Sequence, residues 1–231
     1  MNDSLSLETI ASLIDLTLLN SHTTTDDISN LTIKGEQHHV AALCVFPQHL
    51  DLIPISSSIT RATVINFPSG NEPHHLVLQA VQQIATHHRI DEIDYVFPYQ
   101  TYLNGDSAYA LSCSAEVYQR CKQHGLTFKV ILETGALPSS EVIYQLSRDV
   151  INSGCDFLKT STGKIATGAT IPAATAMLSA IVDSKKSCGI KLSGGIRTIE
   201  QATDYIQLAE AILGMTVNKH WFRIGASTIF I

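Results

Sequence analysis

Four charged residues interrupt apolar runs that are otherwise typical of buried β-strands. They are Asp94 in EIDYVF (92–97), Lys129 in FKVILE (128–133), Lys159 in CDFLKT (155–160) and Lys191 in GIKLS (189–193). A lysine taken alone would fit a strand end whose ammonium group reaches water. Buried charges need partners, however, and four of them on consecutive strands, spaced to share one face, indicate a common interior site.

Lys159 and Lys191 lie on neighbouring predicted strands, which suggests amine chemistry. A free lysine has a pKa near 10.4, so only about one in 2,500 is neutral at pH 7. Lowering the pKa to about 7 requires roughly 4–5 kcal/mol, and a cation about 4 Å away at an effective dielectric of about 20 contributes roughly 4 kcal/mol. We therefore expect the Lys191 ammonium to make Lys159 a nucleophile able to form a Schiff base.

Two small-residue segments, Ser193-Gly194-Gly195 and Gly225-Ala226-Ser227, follow late predicted strands. Backbone N–H groups in such loops often bind phosphate in α/β barrels, although the glycine pair alone would also fit a tight turn. The segment STGK (161–164) resembles the end of a nucleotide-binding P-loop. Lys159 occupies the position that such a loop requires to be glycine, which excludes that reading.

The elements that must position these residues alternate regularly along the chain. Apolar runs predict eight strands, at 40–46, 62–67, 92–97, 128–133, 155–160, 189–193, 209–213 and 221–225. Amphipathic segments predict helices at 72–89, 106–124, 138–153, 170–186 and 198–208. The pattern favours a (β/α)8 TIM barrel in one domain, 1–231, with residues 6–20 forming an extra N-terminal helix and loop. The run 209–213 could also end a helix, and an open doubly wound sheet is the rival fold, although its G-x-G-x-x-G motif is absent.

Composition narrows the functional class. The net charge of -6 argues against nucleic-acid binding. Five cysteines without a C-x-x-C pair indicate neither a zinc site nor a disulfide framework, and the histidine pairs lack metal-ligand spacing. The first residues do not resemble a signal peptide, and no apolar run is long enough to span a bilayer. The sequence predicts a soluble, cytoplasmic protein without bound metal.

Motifs along almost the whole chain resemble those of the deoxyribose-phosphate aldolase family. They are IDLTLLN (14–20), AALCVFP (41–47), INFPSGN (65–71), DEIDYVFPY (91–99), FKVILETG (128–135), CDFLKTSTGK (155–164), IKLSGGIRT (190–198) and FRIGAST (222–228). The resemblance implies a class I aldolase on a TIM barrel. Such an enzyme cleaves 2-deoxy-D-ribose 5-phosphate reversibly to D-glyceraldehyde 3-phosphate and acetaldehyde, without metal or cofactor.

The resemblance also implies roles for individual residues. Lys159 would be the Schiff-base nucleophile, Lys191 the neighbouring cation, and Asp94 the acid/base that moves protons with Lys191 and a water molecule. The positions matching phosphate contacts are Gly163, Lys164, Gly194, Gly195 and Ser227. The positions matching residues of the pocket are Asp15, Thr17, Cys44 and Thr162, with Lys129 near the aspartate.

The chain departs from the family pattern at its end. Members usually continue through the last helix into a flexible tail with a terminal tyrosine that assists proton transfer, whereas this sequence stops six residues after Gly225. The resemblance therefore implies a last helix and tail that are short or truncated. We expect a homo-oligomer such as a dimer, with a sugar phosphate and acetaldehyde as the small-molecule partners.

Three alternatives to the aldolase fit the sequence less well. A transaldolase or a fructose-type aldolase would also keep a lysine at a strand end, but no motif of a second family is present. A sugar-phosphate sensor without turnover would need the glycine loops, but not paired lysines with a carboxylate. A purely structural scaffold would not place lysines inside strands.

Overall fold

The computed structural model describes residues 6–54 and 56–229, and within them eight parallel strands form a closed barrel. Each strand pairs with the next along the chain, and β8 pairs with β1. The strands are β1 (Ile14–Leu18), β2 (Ala42–Val45), β3 (Thr60–Ile65), β4 (Glu92–Val96), β5 (Thr127–Ile131), β6 (Phe157–Lys159), β7 (Gly189–Ser193) and β8 (Phe222–Ala226). The predicted TIM barrel is confirmed.

The helices cover the outside of this barrel. They are α1 (Leu7–Ala11), α2 (Thr25–Gln37), α3 (His74–His87), α4 (Tyr99–Leu103), α5 (Ser107–Gln123), α6 (Ser140–Ser153), α7 (Ile171–Ser184) and α8 (Ile199–Leu213). The short helix α1 is the extra N-terminal helix that the sequence predicted. The connection from β2 to β3 contains a 3₁₀ helix, Pro47–Leu52, in place of an α-helix.

Two predictions about the strands were wrong. The run 209–213 is the last part of α8, because its apolar residues continue the helical spacing of the buried Ala202, Ile206 and Ala209 until Gly214 ends the helix with a positive φ of 66°. The missing strand is β1, within the segment predicted as helix and loop. Each charged strand residue from Asp94 to Lys191 therefore lies one strand later than predicted.

Helix boundaries follow local hydrogen bonding. Helix α2 begins with a reciprocal capping box, in which Thr24 accepts from the backbone N–H of Asp27 while the Asp27 carboxylate accepts from that of Thr24. Ser139 accepts from the N–H of Val142 at the start of α6, and Gly154 ends this helix with a φ of 113°. The sequence predicted a helix over 138–153, and the structure confirms its end while placing its first residue at Ser140.

The described part of the chain forms two apolar clusters. The larger cluster contains helix side chains such as Val81 and Leu146 packed with strand side chains such as Leu158. The smaller cluster comes mainly from β2 and β3 and contains Leu19, Ala42, Cys44, Ala62 and Val64. No helix within residues 6–54 and 56–229 is long and apolar enough to cross a membrane.

Candidate active site

Lys159 and Lys191 lie side by side inside the barrel. The two residues are partners in the register of β6 and β7. The Lys159 Nζ donates to Oδ2 of Asp94 at 2.6 Å, and the Lys191 Nζ donates to the same oxygen at 2.7 Å. One carboxylate oxygen therefore holds both amines, and the three side chains singled out from the sequence meet at one point.

A wider network of ion pairs surrounds this point. The Lys129 Nζ lies 2.9 Å from Oδ1 of Asp94 and 2.5 Å from Oε2 of Glu92. The Lys191 Nζ also lies 2.5 Å from Oδ2 of Asp15. Beneath them, Arg223 contacts Oδ1 of Asp15 at 2.6 Å and Oε1 of Glu92 at 2.9 Å. These side chains are almost completely buried, so the charges compensate one another with little help from water.

The network contains more basic than acidic groups, and one amine in it has fewer carboxylate partners than the other bases. The basic members are Lys129, Lys159, Lys191 and Arg223, and the acidic members are Asp15, Glu92 and Asp94. The bases exceed the acids by one. Lys159 contacts one carboxylate, whereas each other base contacts at least two. Deprotonation of any one base would balance the network, and Lys159, which has the fewest carboxylate partners, loses the least ion-pair stabilisation when it is neutral.

The pKa shifts agree with this count. Burial lowers the pKa of Lys159, with Asp94 opposing the shift and Lys191 adding to it. Burial also disfavours the Lys191 ammonium, but Asp15 and Asp94 outweigh this effect and raise the pKa of Lys191. The lysines around Asp94 overcome the effect of burial and hold its pKa well below the ordinary value. From the sequence, the low pKa of Lys159 was expected to come mainly from Lys191. The structure corrects this expectation, because burial is the largest cause of the lowered pKa.

A cavity of about 340 Å³ opens above Lys159 at the carboxyl ends of the strands. Of the predicted site residues, it is lined by Thr17, Lys159, Thr162, Gly163, Lys164, Gly194, Gly195 and Ser227. Ser193, Gly225 and Ala226, which belong to the two small-residue segments noted in the sequence, line the cavity as well. The lining residues that sequence reasoning did not single out are Leu18, Leu19, Asn20, Ile196 and Arg197. Their position at or shortly after strand ends is the signal that could have identified them.

Five predicted site residues do not line the cavity but lie beneath it. They are Asp15, Cys44, Asp94, Lys129 and Lys191, all with no measurable exposure. Asp15 and Cys44 were predicted to line the pocket. Thr17, which was also predicted, does line the pocket. It lies two residues after Asp15 on the same face of β1, and the cavity begins at the ends of the strands.

The glycine loops at the rim have a fixed backbone. Gly194 and Gly195 have φ values of 89° and 83°, a region that favours glycine. The N–H of Ala169 donates to the carbonyl oxygens of Ser193 and Gly194, which ties the loop after β7 to the loop after β6. The Lys164 Nζ donates to the carbonyl of Leu19 at 2.6 Å and so reaches the segment after β1. The rim of the cavity is therefore built from glycine backbone, with the Lys164 side chain among its lining residues.

Glu133 supports this rim from below, a role that sequence reasoning did not identify. It lies beyond the end of β5 with a φ of 54°, and its side chain is buried. Its carboxylate accepts from the Thr162 hydroxyl at 2.5 Å and from the Thr162 N–H at 3.2 Å. The Thr162 hydroxyl in turn accepts from the N–H of Lys164 at 3.1 Å. Burial raises the pKa of Glu133 despite these hydrogen bonds.

No group of three His, Cys, Asp or Glu side chains that could hold a metal ion occurs in the part of the chain that the structure describes. The paired histidines that drew attention in the sequence lie at helix ends and on the surface. His74 contacts Glu116 at 3.0 Å, and His88 contacts Asp51 at 3.0 Å. Both pairs lie outside the barrel interior, away from Lys159.

Comparisons with known proteins point to one class of enzyme. Residues 9–224 match the family model described as DeoC/LacD family aldolase. The chain is 40% identical over 229 residues to the deoxyribose-phosphate aldolase of Agrobacterium fabrum, covering 94% of this chain and 86% of that protein.

Two solved structures extend the comparison. The aldolase QR15 has a TM-score of 0.81 and 26% identity, over 98% of this chain and 92% of its own. The tetrameric deoxyribose phosphate aldolase of Aeropyrum pernix has a TM-score of 0.77 and 25% identity, over 96% of this chain and 88% of its own.

Proposed function

Because the chain belongs to the DeoC/LacD aldolase family, we propose that it is a class I aldolase acting on 2-deoxy-D-ribose 5-phosphate. It cleaves this sugar phosphate reversibly to D-glyceraldehyde 3-phosphate and acetaldehyde. The single observation that carries the proposal is the buried Lys159 amine, whose pKa is lowered and which opens onto a cavity of about 340 Å³ rimmed by glycine loops.

Lys159 is the nucleophile in this proposal. Its neutral amine adds to the aldehyde carbon of the open-chain sugar, and loss of water from the carbinolamine leaves a protonated imine. The bond between C2 and C3 then breaks while a base takes the proton of the C3 hydroxyl, and the bonding electrons move toward the imine. D-glyceraldehyde 3-phosphate leaves, and the remaining enamine is protonated at carbon and hydrolysed to acetaldehyde.

Lys191 and Asp94 govern protons in this sequence. The raised pKa of Lys191 keeps its ammonium charged beside Lys159, which disfavours a second positive charge on the free amine. Asp94 is ionised and touches both amines, so it is placed to pass protons, with Lys191 and water, to and from the carbon next to the imine. Lys129 holds the other oxygen of Asp94 and keeps its carboxylate oriented.

Of the remaining predicted residues, some bind the phosphate and the others line the pocket or lie beneath it. The phosphate is bound by backbone N–H groups of Gly163, Gly194, Gly195 and Ser227, with the Lys164 ammonium at the rim. Thr17 and Thr162 contact the sugar at the cavity wall. Asp15 and Cys44 lie beneath the pocket. Asp15 contacts the Lys191 Nζ at 2.5 Å, and Cys44 packs in the smaller apolar cluster. The reaction proceeds without a cofactor.

We extend the proposal to organisation and assembly. Residues 1–231 act as one aldolase domain, and the protein forms a homo-oligomer such as a dimer. The tetrameric relative supports association, as does an outer groove of about 760 Å³ that includes the apolar side chains of Leu103, Val142 and Ala176. Light scattering coupled to size exclusion would measure the mass. A cytoplasmic location fits a phosphorylated substrate, because charged groups cross bilayers at high cost.

Borohydride trapping with acetaldehyde tests the proposed function. Reduction of the imine should add an ethyl group to the peptide that contains Lys159, and Lys159→Met should abolish the labelling. Cleavage of 2-deoxy-D-ribose 5-phosphate, followed by release of acetaldehyde, tests the substrate. A label on Lys191 or Lys164 in place of Lys159 would contradict the assigned nucleophile.

A further inference from the structure

Two of the five cysteines lie in contact at the end of the barrel opposite the cavity. Cys155 precedes β6 and Cys188 precedes β7, so both lie at the amino ends of neighbouring parallel strands. Their sulfur atoms are 3.6 Å apart. A disulfide bond requires about 2.05 Å, so a small approach of the two side chains would join them. The pair is separate from the proposed catalytic network.

The two thiols differ in exposure. Cys155 is buried, whereas Cys188 is half-buried, and each of the other three cysteines is buried. The Cys188 Sγ also lies 3.4 Å from the carbonyl oxygen of Gly189. Of the cysteines, Cys188 therefore has the best access for a small oxidant in solution, and the sulfur of Cys155 is directly behind it.

The surroundings of Cys155 suit it to react with Cys188 after Cys188 has been oxidised. Its contact with the Cys188 thiol, followed by burial, raises the pKa of the Cys155 thiol well above the ordinary value, and Lys186 acts in the opposite direction. The largest of these causes is changed once Cys188 has been oxidised. Cys155 is then a buried thiol next to an electrophilic sulfur, from which it can displace hydroxide.

We propose that Cys155 and Cys188 form a site of oxidative modification that reacts with peroxides. Peroxide oxidises the Cys188 thiol to a sulfenic acid, with one oxygen transferred to sulfur and the other leaving as water or an alcohol. The sulfur of Cys155 then attacks the Cys188 sulfur, the S–O bond breaks, and hydroxide leaves with the Cys155 proton as one molecule of water. The two thiols are oxidised by two electrons, the peroxide is reduced by two, and an external dithiol reverses the step.

The disulfide would join positions 33 residues apart, at the amino ends of the strands that carry Lys159 and Lys191. Lys159 ends its strand and Lys191 lies at the middle of its own, and the cavity opens beyond them at the carboxyl ends, so the cross-link does not need to move the cavity. Because it closes a long loop in the unfolded chain, the oxidised protein should unfold at a higher temperature than the reduced protein.

Hydrogen peroxide titration of the full-length protein tests the site. Peptide mapping without reductant should recover a Cys155–Cys188 cross-linked peptide that lacks two hydrogens, thiol counting should show two fewer free thiols, and dithiothreitol should restore both. A disulfide to another cysteine, or conversion of Cys188 to sulfinic acid without a cross-link, would overturn the proposal.

Two variants and a control separate the steps. Cys155→Ser should leave Cys188 as a sulfenic acid that dimedone traps, and Cys188→Ser should be labelled little at Cys155 and form no cross-link. Cys113→Ser, which removes a thiol elsewhere, should cross-link as the unaltered protein does. Equal dimedone labelling of Cys188 with and without Cys155 would show that Cys155 does not resolve the sulfenic acid, which would contradict the proposal.

Discussion

At the level of single side chains, Lys159 differs from the other buried bases of the network because it contacts fewer carboxylates. Among the residues that the structure describes, its amine forms an ion pair with Asp94 alone, and the Lys191 ammonium contacts the same oxygen of that carboxylate. Lys159 is buried and shares its carboxylate partner with Lys191, and this combination favours the neutral form of the Lys159 amine. Lys191 is equally buried but stays charged, because Asp15 is a second partner. The difference between the two lysines therefore lies in their partners.

The first prediction concerns Lys191→Leu. Without this ammonium, Asp15 and Asp94 lose a compensating charge and stabilise the charged form of Lys159, so the pKa of Lys159 should rise. Activity at pH 7 should fall by about two or more orders of magnitude and recover in part as the pH approaches about 10. The pH profile of kcat/KM measures this, with Lys34→Leu on the exposed side of α2 as the control. An active variant with an unchanged profile would contradict the electrostatic role.

A second prediction separates proton transfer by Asp94 from simple neutralisation of the lysines. Asp94→Asn should lose activity under either role, so activity alone does not decide. The variant should still form the borohydride-trappable imine on Lys159, but it should exchange the methyl protons of acetaldehyde with deuterated water at least about tenfold more slowly. Nuclear magnetic resonance measures the exchange. Exchange at the normal rate once the imine has formed would leave Asp94 with a structural role only.

At the level of elements, the loops after β6 and β7 work as one unit. Hydrogen bonds from Ala169 join them, and a Cβ added at Gly168 would come within 2.2 Å of the Gly194 carbonyl oxygen. Glu133 fixes the same region through Thr162. The backbone of the rim is thus held in place before any ligand arrives, and in the proposed function this would lower the entropic cost of binding phosphate.

The third prediction tests whether this rim binds the phosphate. Gly195 has a φ of 83° and no neighbour within 4 Å of an added Cβ, so Gly195→Ala strains the backbone without a collision. KM for 2-deoxy-D-ribose 5-phosphate should rise about ten- to a hundredfold, in line with the roughly 1.5–3 kcal/mol of a charge-assisted hydrogen bond. KM for unphosphorylated deoxyribose should change little.

The matched control is Gly214→Ala, because Gly214 has a φ of 66° and equally open surroundings at the end of α8. This variant should show a similar loss of stability, seen in thermal unfolding, and no change in either KM. Equal losses on the two substrates in Gly195→Ala would show that the loop does not bind phosphate.

At the level of the whole molecule, the barrel interior is divided between two environments. The inward face of β2 and β3 is apolar, whereas β1 and β4 through β8 supply the buried ion pairs. Removing one partner of a buried pair typically costs about 3–5 kcal/mol. The stability of the fold and the reactivity of Lys159 therefore depend on the same set of charges.

The fourth prediction contrasts Lys129→Met with Lys159→Met. The pKa of Lys129 is raised by its carboxylates despite burial, so its proton stabilises the fold at pH 7, and this contribution is lost only as the pH rises through the folded-state pKa. The pKa of Lys159 is lowered, so its charged form destabilises the fold below the ordinary pKa of lysine.

We therefore expect Lys129→Met to lower the free energy of unfolding at pH 7 by about 3–5 kcal/mol, and Lys159→Met to lower it far less or to raise it. Urea denaturation of the two variants beside the unaltered protein measures the difference. An equal loss in both variants would show that Lys159 contributes to stability as an ordinary buried ion pair does.

The sequence by itself determined the class of fold, the family, and the residues of the central site. Strand and helix periods predicted the barrel, because side chains alternate every second residue in strands and helices repeat every 3.6 residues. Lysines and an aspartate inside apolar strands predicted an interior site, because buried charges must compensate each other. The segment 209–213 was misassigned, because a short apolar run has no clear period of its own.

Only the tertiary structure decided which charges meet and which of them reach the cavity. The register of β6 with β7 places Lys159 opposite Lys191, and the closure of β8 onto β1 brings Arg223 to Asp15 across 208 positions of sequence. Local sequence patterns carry no information about such distant contacts. Burial, the main cause of the lowered pKa of Lys159, likewise depends on how the whole barrel packs, so it became visible only once the strands were in place.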